Sequence, residues 1–331
     1  MFKGLLIEKD NEDYSVRLTE LADEQLPEGD VTVRISHSTI NYKDALAITG
    51  KGPIVRCFPM VPGIDFVGVV EQSNHRDFVP GDSVILNGWG AGESHWGGLA
   101  QKARVHGDWL IPLPANISPR NAMALGTAGF TAMLCILAIL RHGLKPEDGA
   151  IAVTGATGGV GSVAILVLSK LGYKVTALTG KLTETDYLLN LGATEIIDRS
   201  TLGPNKPLLK ERWAGVIDVL GGNTLANLCA STKYRGIVTA CGLAESMELP
   251  ATVAPFIFRG ITLVGIDSVR CSKAHRLEAW ARLSESIDMH KLKDLITEIK
   301  PEDAPHYCKL LIDGVFKGRI VVNMDMRVQK I

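Results

Sequence analysis

The chain has 331 residues, enough for two domains with their own cores, and its 35 Lys plus Arg against 36 Asp plus Glu leave a formal net charge of −1. That balance excludes the strongly basic surface a polyanion such as nucleic acid demands. The start, M-F-K-G-L-L-I-E-K-D, has charges at Lys3, Glu8, Lys9 and Asp10 and no long apolar core, so the expectation is a cytoplasmic protein with neither signal peptide nor membrane anchor.

The first third reads as short strands with turn punctuation. Residues 2–8, 15–21 and 31–40 alternate or run apolar, and P-E-G-D at 27–30 supplies the turn between the last two. In S-T-I-N-Y-K-D-A-L-A-I-T-G-K-G, residues 38–52, a strand feeds a short helix closed by Gly50. Asn41, Tyr42, Lys43 and Asp44 fall at that junction, where side chains commonly face a cleft. Spacing alone also fits a plainer reading, with Tyr42 a half-buried core aromatic and Asp44 a cap or first-turn acid. Residues 59–70 and 79–85 are each a turn and a strand. The glycine-rich G-W-G-A-G-E-S-H-W-G-G-L-A, residues 88–100, either lines a pocket through Trp89, His95 and Trp96 or is an irregular connection with His95 hydrogen-bonded locally.

At 116–140 the composition turns helical, with Ser118 as N-cap and Pro119 in the first position; its apolar part, 128–140, is too short to span a bilayer. Strands then alternate with helices, at 150–153, 174–178, 196–197, 214–220, 235–240 and 261–266. That is the pattern of an α/β, doubly wound parallel sheet, which binds ligands at the carboxyl ends of its strands and so marks 220–222, 241–243 and 267–268. The expected organisation is a dinucleotide-binding domain over 123–289 inserted in a β-rich catalytic domain, 1–122 plus 290–331. Residues 272–287 read as a core helix through Leu277, Trp280 and Leu283, and a final strand over 318–323 returns to the first domain. The six cysteines are scattered without a C-x-x-C pair, which indicates buried or semi-buried free thiols in a reducing compartment.

The rest of the chain is organised around A-I-A-V-T-G-A-T-G-G-V-G, where Gly155, Gly158, Gly159 and Gly161 separate an apolar run from one of helical length. Strand, tight turn and helix follow, and the first N–H groups and positive end of the helix suit a pyrophosphate. The spacing is G-x-x-G-x-x-G, not G-x-G-x-x-G, so on this segment alone a generic strand-to-helix connection stays open. The next strand ends in Thr179, Gly180 and Lys181, where an NAD-specific fold places an acid. A hydroxyl, an amide and an ammonium hold a 2′-phosphate that a carboxylate repels, and Arg199 adds a second cation. The expected cofactor is therefore NADPH, although a solvated surface position is the ordinary fate of any one Lys or Arg.

These stretches together resemble the medium-chain dehydrogenase/reductase superfamily and its zinc-free, quinone-oxidoreductase-like branch, in which a Rossmann domain is inserted in a GroES-like catalytic domain. I-N-Y-K-D-A-L-A-I-T-G-K-G, P-M-V-P-G-I-D-F-V-G, the glycine-rich loop and G-T-A-G-F-T-A-M-L resemble the NADPH-dependent acryloyl-coenzyme A reductases. The resemblance implies Tyr42 at the nicotinamide; Thr157, Gly158, Gly159 and Val160 at the pyrophosphate; and Thr179, Gly180, Lys181 and Arg199 at the 2′-phosphate. It also implies Leu243, Ile257, Ser268 and Asn323 as further cofactor contacts. The family often has Arg in place of Lys181, and a point charge instead of a planar fork implies weaker NADPH affinity with the same preference. Zinc members use a Cys, a His-Glu pair and a second Cys, with a four-cysteine lobe. Here Asn41 to Asp44 and Gly63-Ile64-Asp65 stand in those stretches, so no metal is expected.

The implied reaction is reduction of acryloyl-CoA to propanoyl-CoA by hydride transfer to the β-carbon, with Tyr42 as candidate donor for α-protonation and solvent as the alternative. A homodimer paired through the edge strand 261–266 is implied too. The alternatives are an NADPH:quinone or alkenal/enone oxidoreductase and, from another class, a non-catalytic NADPH-binding protein.

Overall fold

The computed structural model describes residues 1–11 and 13–325. The chain divides into two compact units: Met1–Thr127 with Ser268–Trp280 and the described residues from Leu295 on, and Ala128–Asp267 with Ala281–Asp294. Strands β1 (Phe2–Asp10) and β2 (Asp13–Leu21) form a hairpin, and β3 (Val31–Ile40) leads into helix α1 (Tyr42–Thr49), which stops at Gly50 in the left-handed conformation. Next come β4 (Asp65–Ser73), β5 (Ser83–Asn87), β6 (Lys102–Val105), β7 (Leu110–Pro112) and α2 (Pro119–His142). Strands and helices then alternate through β8 (Ile151–Val153), α3 (Gly159–Lys170), β9 (Val175–Thr179), α4 (Thr185–Leu191) and β10 (Glu195–Asp198). The alternation continues with β11 (Trp213–Asp218), α5 (Gly222–Ser231), β12 (Thr232–Ala240), α6 (Ala254–Arg259) and β13 (Thr262–Gly265). The chain closes with α7 (Lys273–Ser286), α8 (Met289–Lys293), β14 (Ile296–Ile299), α9 (Ala304–Ile312) and β15 (Arg319–Asn323).

The first unit is built on a sheet of order β14-β15-β3-β4-β5-β7, with β6 also paired to β3. Its inward residues, among them Ile7, Val33, Phe66, Leu86, Leu110 and Ile320, form one core. The expected return of the tail is met by β15, which pairs antiparallel with β3 and sets Ile320 opposite Ile40.

The second unit is the doubly wound sheet, order β10-β9-β8-β11-β12-β13, all parallel. Strand β8 is fully buried at Ile151, Ala152 and Val153, as short apolar strands covered on both faces must be. Strand order reverses between β8 and β11, and the crevice at such a reversal is where open α/β sheets bind ligands.

Several expectations change. Residues Ser268–Trp280 belong to the first unit, because Arg276 Nη1 donates to Asn87 O (2.6 Å) and Trp280 Nε1 to Asn87 Oδ1 (3.0 Å). Leu277 is 44 % exposed and is not core; the buried face of α7 carries Arg276, Ala279, Trp280 and Leu283. The guanidinium is tolerated there because it also donates to the carbonyls of Ser268, Val269 and Cys271. Helix α2 runs for 24 residues, broken at Gly126 (φ 49°, ψ −153°), and is long and apolar enough to cross a membrane by composition, yet 83 % of its most apolar window is buried within the protein. Cys57 is exposed and the other five thiols are buried or half-buried, none of them in a disulfide.

Candidate active site

After β8 the chain turns at Gly155, whose φ of 54° favours glycine. A Cβ there would lie 2.4 Å from Val219 Cγ2, and one on Gly161 would lie 2.4 Å from Gly155 O, so both glycines are required by close approach. Helix α3 starts at Gly159 with Gly158 as N-cap, and no side chain caps it. Its first-turn N–H groups, with the positive end of the helix behind them, are thus left to an anion. Thr157, Gly158, Gly159 and Val160, the residues expected at a pyrophosphate, lie at this turn, with Gly158 N donating to Gly155 O at 2.9 Å.

Strands β9 and β10 pair in register with Thr179 opposite Asp198, so Gly180, Lys181 and Arg199 leave from neighbouring strand ends. Thr179 Oγ1 accepts from Lys181 N at 3.0 Å, and a Cβ on Gly180 would sit 3.8 Å from Arg199 Nη2. Gly180 and Arg199 line one depression with Asn205, Asn223, Thr224 and Glu245. Asp198 accepts from Ser200 N at 2.9 Å, a bond that holds its carboxyl below the usual range. The strand end expected to meet a ribose carries the Thr179 hydroxyl, the Gly180 amide and the Arg199 guanidinium, with the Asp198 and Glu245 carboxylates lining the same depression.

In the first unit Tyr42 opens α1 and is 47 % exposed, so it is not a core aromatic. Asp44 is a first-turn acid: it accepts from Asn41 N (2.8 Å), Asn41 Nδ2 (3.1 Å) and Ile64 N (2.9 Å), a capping box that fixes the helix start. Burial pushes its carboxyl up to about 7, and the neighbouring Asp65 charge adds to the rise. Asp65 accepts from Asn41 Nδ2 (2.8 Å), Asn87 Nδ2 (2.7 Å), Thr127 N (2.8 Å) and Thr127 Oγ1 (2.6 Å). Buried Arg319 donates to Ala124 O (2.7 Å) and Thr39 Oγ1 (2.9 Å); burial lowers its pKa while the Asp65 and Asp44 charges oppose that shift. Lys43 is ion-paired with Glu93.

In the glycine-rich loop Trp89 stacks on Trp109 (centroids 6.4 Å apart, 5° between planes) under the Arg276 guanidinium. His95 has the plainer of its two expected roles: its ring nitrogens face the local carbonyls of Trp96 (3.0 Å) and Glu28 (3.2 Å), one of which accepts the ring N–H. Among the described residues, no group of three or more His, Cys, Asp or Glu side chains converges as on a metal ion.

The remaining expected contacts are dispersed. Leu243, 59 % exposed, lies beside Gly221 beyond β11 and β12, at the same sheet edge as the glycine loop. Ile257 instead lines a groove with His142, Ala214, Lys233 and Gly236, where β11 and β12 begin. In the first unit, Ser268 O accepts from Arg276 Nη2 (3.1 Å), and Asn323 ends β15 with its amide on Glu298 Oε1 (3.1 Å). Two residues of the phosphate edge escaped sequence reading, Thr154 and Asp218, which bond one another at 2.8 Å. The only signal for them was a polar residue closing each of two apolar strands.

Comparison with known proteins places these features. Residues 27–115 match the family described as alcohol dehydrogenase GroES-like domain, and residues 159–285 match zinc-binding dehydrogenase. The acrylyl-CoA reductase AcuI of Ruegeria pomeroyi is 47 % identical over 329 residues, covering 98 % of this chain and 100 % of that protein. The putative quinone oxidoreductase YhfP of Bacillus subtilis is 43 % identical over 327 residues, covering 98 % and 99 %. The crystal structure of the yhdH oxidoreductase from Salmonella enterica in complex with NADP matches with a TM-score of 0.96 at 49 % identity, over 97 % of this chain and 99 % of that one. The chain belongs to the medium-chain dehydrogenase/reductase family, in the quinone-oxidoreductase-like branch that contains the acrylyl-CoA reductases.

Proposed function

We infer that the protein is an NADPH-dependent reductase of the C=C bond of acrylyl-CoA, forming propanoyl-CoA. The observation that carries this reading is the full-length match to the Ruegeria reductase, and the phosphate edge fits its cofactor. NADPH, when bound, supplies the hydride for the β-carbon of the enoyl thioester. The chain holds the pyrophosphate on the first turn of α3 and the 2′-phosphate between Thr179, Gly180, Lys181 and Arg199. Leu243, Ser268 and Asn323 are proposed as further cofactor contacts; Ile257, in the groove where β11 and β12 begin, lies at the opposite edge of the sheet from the glycine loop and is not kept among them. Hydrogen-bond donors must meet the charge that develops on the thioester oxygen. Tyr42, exposed at the start of a helix pinned by Asn41 and Asp44, is the proposed proton donor to the α-carbon.

The match to a putative quinone oxidoreductase favours a second reading, reduction of quinones by the same cofactor. Steady-state NADPH oxidation with acrylyl-CoA, a simple enal and an aromatic quinone, repeated with NADH, decides between them. A kcat/KM highest for acrylyl-CoA with NADPH supports the first reading, and faster turnover of the quinone replaces it with the second.

A cytoplasmic homodimer belongs to the same proposal. Strand β13 is a sheet edge, and Val253, Ile257 and Phe258 on the preceding segment are 67 %, 70 % and 71 % exposed, an apolar surface suited to a second copy.

A further inference from the structure

Two strands flank the point where the sheet order reverses, β8 and β11. The glycine loop follows the first, and Asp218 ends the second, fully buried. One carboxylate oxygen of Asp218 accepts the Thr154 hydroxyl proton at 2.8 Å; the other accepts the N–H groups of Gly221 at 2.7 Å and Leu220 at 3.2 Å. Thr154 Oγ1 accepts in turn from Val219 N at 2.9 Å. Thr154 directly precedes Gly155, so this pair of bonds ties the first step of the phosphate turn to residues 219–221. Val219 packs closely on both neighbours at the same place: a Cβ on Gly155 would lie 2.4 Å from its side-chain Cγ2, and one on Gly242 2.4 Å from its backbone O. A third segment joins them through Cys241 N to Asp218 O (2.9 Å) and Glu245 N to Leu220 O (2.8 Å).

We propose that Asp218 is a positioning residue for the cofactor, setting through Thr154 the glycine turn that receives the pyrophosphate. The proposal rests on the NADPH reading above. A carboxylate here is costly: three neutral donors hold it, Glu245 adds a like charge, and burial pushes the carboxyl up to about 6. A turn alone would be served by a neutral acceptor. What only a carboxylate offers is acceptor capacity on both oxygens, one facing Thr154 and one facing the 220–221 amides. In Asp218→Asn, an oxygen kept on Gly221 turns the amide NH2 toward Thr154, whose hydroxyl proton then loses its acceptor. The Thr154 side chain must rotate, and the Gly155 turn is no longer held in place.

The test is direct titration of NADPH and of NADH, with steady-state kinetics and thermal unfolding, on the full-length wild type, Asp218→Asn, Thr154→Val and Thr154→Ser. Asp218→Asn is expected to weaken both cofactors by the same factor, about tenfold, with kcat at saturating NADPH unchanged. Thr154→Val is expected to act in the same direction, and Thr154→Ser, which keeps the hydroxyl, to bind as the wild type does. The shared factor distinguishes a displaced pyrophosphate turn from a lost 2′-phosphate contact, which affects NADPH alone. A variant that melts earlier yet binds both cofactors as tightly as wild type overturns the proposal, as does a fall in kcat with unchanged binding. Should Asp218→Asn fail to fold, the two Thr154 variants decide, and equal affinities in them overturn it. A wild type that binds neither cofactor is a separate result: it refutes the NADPH reading and the proposal with it.

Discussion

The phosphate edge of the second unit and the polar cluster of the first solve opposite problems. The phosphate edge is built from absences: no Cβ at Gly155 or Gly161, no side-chain cap on α3 and no acid at the end of β9. It leaves donors open for an anion that comes from outside. The cluster around Asp44 and Asp65 is saturated, with seven donor contacts from backbone and side chain satisfying two buried carboxylates inside the protein. A cofactor site must keep its hydrogen-bonding capacity unspent, whereas a buried charge must spend it. Substitutions in the two regions should therefore fail differently, the first in affinity and the second in stability or chemistry.

The comparison is broken most directly by Gly161→Val. Its Cβ meets a backbone oxygen that cannot move without moving the turn, so NADPH binding is expected to fall by about a hundredfold or more, read by titration. Full affinity would show that the cradle is not where the pyrophosphate binds. Tyr42→Phe removes the proposed donor and is expected to lower kcat by about a hundredfold while the Kd for NADPH stays within a factor of about two. Unchanged turnover would pass protonation to solvent. Lys181→Ala sharpens the contrast with Asp218→Asn: the KM for NADPH should rise about tenfold while that for NADH is unaffected, because only the former carries the 2′-phosphate.

The smallest effect is on stability. Burial raises the Asp44 carboxyl to about 7 in the folded protein from its ordinary 3.8, so the folded state holds a proton that the unfolded chain has released across that window. The stability this contributes is complete below the unfolded value and lost as pH rises through about 7. The melting temperature of the wild type should accordingly fall between about pH 5.5 and pH 8, and in Asp44→Asn the fall should be smaller by a few degrees. An identical pH dependence in the two proteins would remove Asp44 from the titrating set.

The strands of the doubly wound sheet, the glycine turn, the cap on α1 and the basic strand end at Thr179 were legible in the sequence. Each is a local feature, written in apolar runs, in glycines and in the residue that follows a strand. Sequence alone also placed the final strand with the first unit, since an apolar run after a completed sheet has few other places to pair. Tertiary structure alone decided that Arg276 is buried and Leu277 exposed, because the carbonyls that receive the guanidinium come from β5 and from the segment before α7. It alone showed Asp44 and Asp65 sharing Asn41 across 24 residues of chain, and Thr154 meeting Asp218 across 64. Periodicity reports which face of an element is apolar. A buried polar group, by contrast, is permitted only by partners distant in sequence, so its place is not known until the chain has folded.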